Sequence, residues 1–167
     1  MGWGAFKAFI VVTTPYLSYH NLLKFSLFTF FPKPMTIFSK IIKGEIPCHK
    51  IAEDAHYFAF LDIRPLQRGH VLVVPKAEID YLFDLDTTLL SGILPFAQKI
   101  AKAIEKVVPC KRVGVAVVGL EVPHAHVHLV PLNQISDLDF TASRPTFTPQ
   151  EFEETAQAIR QALADLG

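Results

Sequence analysis

The chain has 167 residues, half of them hydrophobic, and a formal net charge of zero. This length and composition predict one domain with a core of ordinary size. A net charge of zero excludes bulk electrostatic attraction to nucleic acid or to an anionic membrane, so we predict neither as a partner and expect any phosphate recognition to be local. Cys48 and Cys110 match no metal-binding or redox spacing, and we interpret them as reduced thiols of a cytoplasmic protein.

A short helix and three strands are predicted between residues 36 and 74. Thr36 is suited to cap a helix that runs to about Lys43, where Gly44 stops it. Strands are predicted at residues 49–53, 56–62 and 70–74, because apolar runs there are separated by turn residues. Connections this short favour antiparallel neighbours, so these strands are predicted to form a meander.

A long amphipathic helix is predicted next. Asp84 or Asp86 can cap it, and Pro109 ends it. Pro95 interrupts the pattern, and because an interior proline costs about 3 kcal/mol, we expect a kink or a restart there. One apolar stripe repeats at helical spacing and indicates packing on the sheet. The stripe consists of Leu90, Ile93, Ala97, Ile100, Ala101 and Ile104.

Two further strands and a terminal helix complete the predicted fold. The strands are expected at residues 112–118 and 122–131, joined by a tight turn at residues 119–121. Residues 132–147 show no clear period and are interpreted as a loop. Thr148 followed by proline and, three residues on, by Glu151 is typical of a helix start, so a helix is predicted at about residues 149–166. The predicted class is α+β: a five-stranded antiparallel meander sheet, a long helix packed on it, and short N-terminal and C-terminal helices.

The strongest chemical signal is the spacing of His124, His126 and His128. Side chains alternate along a strand, so these three imidazoles are predicted to share one face at intervals of about 7 Å. Such a row could be a solvated strand face or a metal site, because imidazole is the commonest zinc ligand. It could also perform phosphorus chemistry, because neutral imidazole is a nucleophile near pH 7 and a neighbouring imidazole can act as an acid.

The triad and three earlier segments resemble the histidine triad (HIT) family of nucleotide hydrolases and transferases. The segments are residues 37–47, 60–65 and 69–76, and with the triad they follow the family's order over about residues 35–131. The resemblance implies the HIT fold and a homodimer in which two five-stranded sheets join into one. It further implies an enzyme, a nucleotide phosphoramidase or hydrolase without a cofactor, that acts at the α-phosphorus of a purine nucleotide.

The resemblance also implies roles for individual residues. His126 would attack phosphorus and form a covalent nucleotidyl-histidine, with its second ring nitrogen bonded to the carbonyl of His124. His128 would hydrogen-bond the phosphate, and His124 and His70 would orient the network. Alternatively, His70 is a surface histidine at a strand end, Asp62 caps a turn, and the apolar wall is core packing. The implied nucleotide-binding residues are Asp62 at the ribose, Ile63, and the wall of Ile37, Phe38 and Ile41 beside the base.

Two departures from the family pattern concern phosphate and zinc. Relatives usually have a longer glycine-rich loop with polar side chains before the triad, whereas residues 118–120 are Val-Gly-Leu here. A nucleotide-binding module with little turnover is therefore an alternative, as is a metal-dependent hydrolase that uses the three histidines. Some relatives hold a structural zinc through two cysteines and added histidines. Those positions carry Thr36, Ser39 and Glu78 in this chain, so we predict no metal site.

Residues 1–34 differ in composition from the rest of the chain. Residues 6–31 are rich in Phe, Leu and Tyr and carry only Lys7 and Lys24 as charged residues. A membrane helix and a secretory signal are alternatives, although polar residues interrupt the apolar run and no Ala-x-Ala cleavage site is present. Because Met35 stands where members of the resembled family begin, we predict that residues 1–34 are a mis-annotated or poorly ordered extension before a domain of residues 35–167.

Overall fold

The structure, a computed structural model, describes residues 35–167. The predicted N-terminal extension lies outside the described residues and stays a prediction. Within residues 35–167, no helix is long and apolar enough to cross a membrane.

Five antiparallel strands form one sheet in the order β1-β2-β3-β5-β4. The predicted α+β class is confirmed, but the meander extends only over the first three strands. The long helix then carries the chain to the edge position of β4, and β5 returns to pair with both β3 and β4. The strands are β1 (Lys50–Glu53), β2 (Tyr57–Leu61), β3 (Val71–Pro75), β4 (Arg112–Ala116) and β5 (Val127–Leu132).

In the described part of the chain, three α-helices accompany the sheet: α1 (Ile37–Ile42), α2 (Thr87–Val107) and α3 (Pro149–Ala164). Each helix has an N-cap residue whose side chain accepts a hydrogen bond from a backbone N–H of the first turn. The N-cap residues are Thr36, Asp86 and Thr148. The helix α2 continues through Pro95, so the predicted restart is wrong. Pro95 has no N–H to donate to the carbonyl of Ser91, four residues earlier. Both residues are exposed, so water can bond that carbonyl instead.

Both faces of the sheet are covered, and strand alternation divides the core in two. On β2, Ala59 and Leu61 join the cluster under α2 and α3. Phe58 and Phe60 point the other way, into a smaller cluster with Phe38 of α1. Burial on two faces explains why the central strands are continuous apolar runs rather than alternating ones. The triad lies on the α1 side of the sheet, because Val127 and Leu129 of β5 join the cluster under α2.

The connection between β4 and β5 differs from the predicted tight turn. The strand β4 ends at Ala116 and β5 begins at Val127, so residues 117–126 form a loop that contains two of the three histidines. Pro123 lacks an N–H and restricts the residue before it, which opposes strand pairing there. Gly119 takes a positive φ of 68° in the same loop. The prediction that the strand begins at residue 122 is therefore wrong.

Candidate active site

His126 is held in one tautomer by the backbone. Its Nδ1 lies 2.6 Å from the carbonyl oxygen of His124. A carbonyl oxygen only accepts, so Nδ1 must carry the proton and donate it. The other ring nitrogen, Nε2, then has a free lone pair when the ring is neutral. Because His126 lines a cavity, this nitrogen has the chemistry of a nucleophile next to a ligand space.

His70 and His128 form a second ordered pair. The backbone N–H of Leu66 donates to Nδ1 of His70 at 3.0 Å, so the proton of the neutral ring is on Nε2. This Nε2 lies 3.0 Å from Nδ1 of His128 and donates to it. The proton of a neutral His128 is consequently on its own Nε2. That atom is buried and has no hydrogen-bond partner among the described residues, which leaves one donor for a ligand oxygen.

Burial keeps both of these rings neutral. It lowers the pKa of His70 to about 3, with smaller contributions from the charges of Arg144 and His126. It likewise lowers the pKa of His128 to about 3, with help from His70 and His126, while Asp62 opposes the shift. Neutral rings are what the hydrogen-bond directions require, because a cationic His70 could not accept from a backbone N–H.

His124 is completely buried, and it supports the site from behind. Its Nε2 lies 2.8 Å from the carbonyl oxygen of Pro75 and must donate to it. Its Nδ1 lies 2.9 Å from the hydroxyl of Thr36, which donates in return when the ring is neutral. Both bonds fix the ring and, through it, the backbone carbonyl that orients His126.

Thr36, Ser39 and Glu78 form a polar network behind His124. One carboxylate oxygen of Glu78 accepts two hydrogen bonds, one from the backbone N–H of Thr36 at 3.1 Å and one from the hydroxyl of Ser39. Two hydroxyls stand where some relatives have the thiolates of a structural zinc site, and a carboxylate stands where they have a histidine. These groups bond one another, and this donor set does not fit that metal. The prediction of no structural zinc rests on these residues.

A second possible ligand group also has other partners. Among the described residues, ligand atoms of Asp62, His70 and His128 lie within 4.8 Å of one another. However, both nitrogens of His70 already make hydrogen bonds, to Leu66 and to His128. A cation could bind through His70 only if one of these bonds were lost.

The triad is more compact than a row of strand residues. The ring centroids of His126 and His128 are 4.8 Å apart, and those of His70 and His128 are 5.2 Å apart. The predicted spacing of 7 Å is wrong for His126 and His128, because His126 precedes the strand. The ring of His124 instead packs edge-on against Phe38, with centroids 5.8 Å apart.

His126 and His128 line a cavity of about 380 Å³. A larger depression of about 440 Å³ between β1, α2 and α3 contains no buried titratable group, so volume alone does not identify the site. The smaller cavity combines apolar walls with a few converging polar groups, which is typical of a small-molecule site. The predicted site residues that line it are His126, His128, Asp62, Ile63, Ile37 and Phe38.

The other predicted residues have different positions. His70 and His124 lie behind the cavity wall, and Ile41 packs on the Phe38 cluster without lining the cavity. Asp62 fits both interpretations made from the sequence. One of its oxygens accepts the backbone N–H of Arg64 at 2.8 Å and caps the turn. The other lies 3.7 Å from Nδ1 of His70, at the edge of the cavity.

Several cavity residues were not predicted, among them Phe140 and Arg144. Phe140 packs edge-on against His128 with centroids 4.9 Å apart, and Arg144 lines the same cavity. Both belong to the segment between β5 and α3, which has no helical or strand period. The only signal in the sequence is an aromatic residue and a cation inside a polar loop, and that is too common to identify a site.

Known proteins are similar to this chain in sequence. The HIT domain model matches residues 43–135. Adenosine 5'-monophosphoramidase hnt1 from Schizosaccharomyces pombe is 41% identical over 97 residues, which cover 57% of this chain and 72% of that protein. The HNT1 protein of the same name from Saccharomyces cerevisiae is 38% identical, with 57% of this chain and 61% of that protein covered.

Solved structures give the same result over a larger share of the chain. A Zn-bound histidine triad family protein from Mycobacterium smegmatis superposes with a TM-score of 0.67 at 32% identity, covering 78% of this chain and 94% of that one. A Hit-like protein from Bartonella henselae gives a TM-score of 0.66 at 33% identity, covering 78% and 98%. The family model spans more than half of the chain, and the fold and the histidines agree with it: the chain belongs to the HIT family.

Proposed function

We propose that this protein is a nucleotide phosphoramidase or hydrolase that acts at the α-phosphorus of a purine nucleotide through a covalent nucleotidyl-histidine. The observation that carries the proposal is the hydrogen bond from Nδ1 of His126 to the carbonyl of His124. It leaves Nε2 of His126 unprotonated in a cavity that is also lined by His128, whose Nε2–H has no partner within residues 35–167. The names of the two yeast relatives support a phosphoramidate as the substrate.

The first step forms a bond between Nε2 of His126 and phosphorus. The bond from phosphorus to the leaving amine breaks, and the amine departs with the electron pair and with a proton taken from solvent water. The histidine becomes an imidazolium whose Nδ1–H still donates to the His124 carbonyl, which stabilises the charge. The Nε2–H of His128 donates to a phosphoryl oxygen as negative charge develops.

The second step restores the enzyme. Water attacks phosphorus and releases a proton to solvent, the P–N bond breaks, and its electron pair returns to Nε2 of His126. The products are the nucleoside monophosphate and the free histidine. Two displacements at lower barriers replace one direct hydrolysis, which is the advantage of covalent catalysis.

The walls of the cavity support nucleotide binding. Ile37, Phe38 and Ile63 present an apolar surface on which a base can pack. We propose that the carboxylate of Asp62 accepts hydrogen bonds from the ribose hydroxyls. The Asp62 side chain is 15% exposed and remains reachable from the cavity.

We also propose that the protein is a cytoplasmic homodimer. The free cysteines Cys48 and Cys110 support a reducing compartment. The edge strand β4 supports the dimer, because Val115 is 51% exposed there and Leu94 of the neighbouring α2 is 56% exposed. An apolar surface beside an unpaired strand edge is suited to join two sheets.

Hydrolysis of adenosine 5'-phosphoramidate by the purified full chain tests the proposal. The His126→Ala variant should lose at least about 10³-fold in kcat, as expected for a removed nucleophile. The control is His56→Ala, which removes an exposed histidine away from the cavity. Tight binding of AMP without turnover would favour the binding-module alternative. Activity that a chelator abolishes and zinc restores would favour the metal-dependent alternative.

A further inference from the structure

An anionic ligand in this cavity requires a cation, and the loop between β4 and β5 does not supply one. The loop between β4 and β5 presents Val118, Gly119, Leu120 and Val122 to the cavity, and its one charged residue there is Glu121. None of these side chains donates a hydrogen bond, and the carboxylate repels phosphate. His128 contributes a single neutral N–H. A phosphate bound beside His126 must find its positive partner elsewhere.

Arg144 brings a cation to the same cavity. Its guanidinium is half-buried and lines the cavity together with His126 and His128. Among residues 35–167, its side chain makes one hydrogen bond, at 2.5 Å to the backbone carbonyl of Arg64, and no ion pair. A guanidinium has five N–H donors in a planar fork, so most remain available to a ligand.

Aromatic contacts hold the segment around Arg144 in place. Phe140, four residues before it, packs on His128, and Phe147, three residues after it, packs on Phe152 of α3 with centroids 5.8 Å apart. The carbonyl of Arg64 fixes the guanidinium itself. A cation positioned in advance binds an anion without a large loss of side-chain freedom on binding.

The charge of Arg144 affects the pKa values of two histidines. It contributes to lowering the pKa values of both His70 and His128, which requires its positive end to lie near their rings. The same field that disfavours protonation of these rings favours an anion in front of them.

We propose that Arg144 pairs with the phosphate of the nucleotide bound in this cavity. This proposal rests on the proposed function and adds to it the group that neutralises the phosphate. Arg64 is the rival cation, because it lines the same cavity but is exposed. Arg144 is favoured because ring contacts of Phe140 and Phe147 hold its segment and the Arg64 carbonyl holds its guanidinium.

The test compares affinities for AMP and for adenosine by calorimetric titration of the full chain. Arg144→Met should bind AMP about 10–100-fold more weakly, the cost of a lost charge-assisted hydrogen bond, and adenosine as well as wild type does. Arg144→Lys should recover part of the AMP affinity. The matched control is Arg160→Met, whose guanidinium also bonds a backbone carbonyl, that of Lys50 at 2.9 Å, but outside the cavity. Its affinities should not change.

Each outcome decides a separate question. Unchanged AMP affinity in a folded Arg144→Met variant, with its melting temperature checked, overturns the role of Arg144 and leaves the proposed function standing. A loss of AMP affinity in Arg64→Met but not in Arg144→Met does the same. Equal losses for AMP and adenosine would show that Arg144 shapes the cavity rather than pairs with phosphate. A wild type that binds no AMP and hydrolyses no phosphoramidate contradicts the proposed function itself.

Discussion

The Nδ1 of His126 lies 2.6 Å from the backbone carbonyl oxygen of His124. The acceptor is part of the main chain, so no substitution removes it directly. Its position depends on the buried His124 ring, which is held between the Pro75 carbonyl and the Thr36 hydroxyl. The proposed nucleophile is therefore oriented from a residue near the start of the domain.

Thr36→Val should lower kcat by about 10-fold with little change in KM. The substitution keeps the shape of the side chain but removes the hydroxyl that bonds Nδ1 of His124, so the carbonyl that orients His126 is less well fixed. Thr36→Ser keeps the hydroxyl and should keep the activity. Steady-state kinetics of the three proteins provide the comparison.

Thr36 also caps α1, and the control must separate that role. Thr148→Val removes an equivalent N-cap from α3, far from the cavity. Both valine variants should lose about 0.5–2 kcal/mol of stability, but Thr148→Val should keep its kcat. An equal loss of kcat in both variants would show that destabilisation, not orientation, explains the effect.

Stability should fall as the pH decreases from 6.5 to 5. The folded pKa of about 3 for both His70 and His128 is below the ordinary value of 6.5, so the unfolded chain takes up protons first. Stability is thus complete above about pH 6.5 and is lost on acidification. By pH 5 the loss is on the order of 2 kcal/mol for each histidine. Urea unfolding at several pH values measures it.

The variant His128→Gln identifies the source of this pH dependence. It removes one titrating ring, so its stability, referred to its own value at pH 7, should decrease less by pH 5. His56→Gln, at an exposed position, should behave as wild type does. A wild-type stability that is flat across this range would contradict neutral buried rings.

Val115→Lys should convert the proposed dimer into a monomer. A lysine on the edge strand β4 places a charge in the apolar surface that it forms with Leu94. Ile135→Lys changes a residue that is 95% exposed outside the sheet, and it should remain dimeric. Light scattering coupled to size-exclusion chromatography measures the mass of each. A monomeric wild type would refute the proposed dimer.

Metal analysis should find no tightly bound zinc in the purified protein. Thr36, Ser39 and Glu78 bond one another, and they offer no thiolate to the metal. Plasma emission spectrometry after gel filtration measures the zinc content. About one zinc per chain would contradict the prediction.

The sequence alone was enough for most of the fold. Local signals act over a few residues, so the caps at Thr36 and Thr148 and the long helix were predictable from spacing. The order of β4 and β5 was not, because it depends on which strand pairs with β3 rather than on any local preference. The same limit explains why a strand is predicted where the loop before β5 lies: the two histidines of the loop have the alternating spacing of a strand.

The site was predictable where its residues stand close together in the chain. The spacing of the three histidines and the position of Asp62 after a buried strand each indicate a site residue from the local sequence alone. The Thr36–His124 bond spans 88 positions, and Arg144 reaches the cavity from an aperiodic segment. Such contacts depend on tertiary packing, which single-chain patterns do not encode.

Mass spectrometry of a trapped intermediate tests the central claim most directly. The full chain is mixed with excess adenosine 5'-phosphoramidate, quenched within one turnover in alkali, where a phosphorus–histidine bond survives, and digested. The account predicts a nucleotidyl group on the peptide that contains the triad, located at His126 by fragmentation and absent from His126→Ala. Turnover by wild type together with a nucleotidyl group on another residue, or with none in any quench, would contradict it.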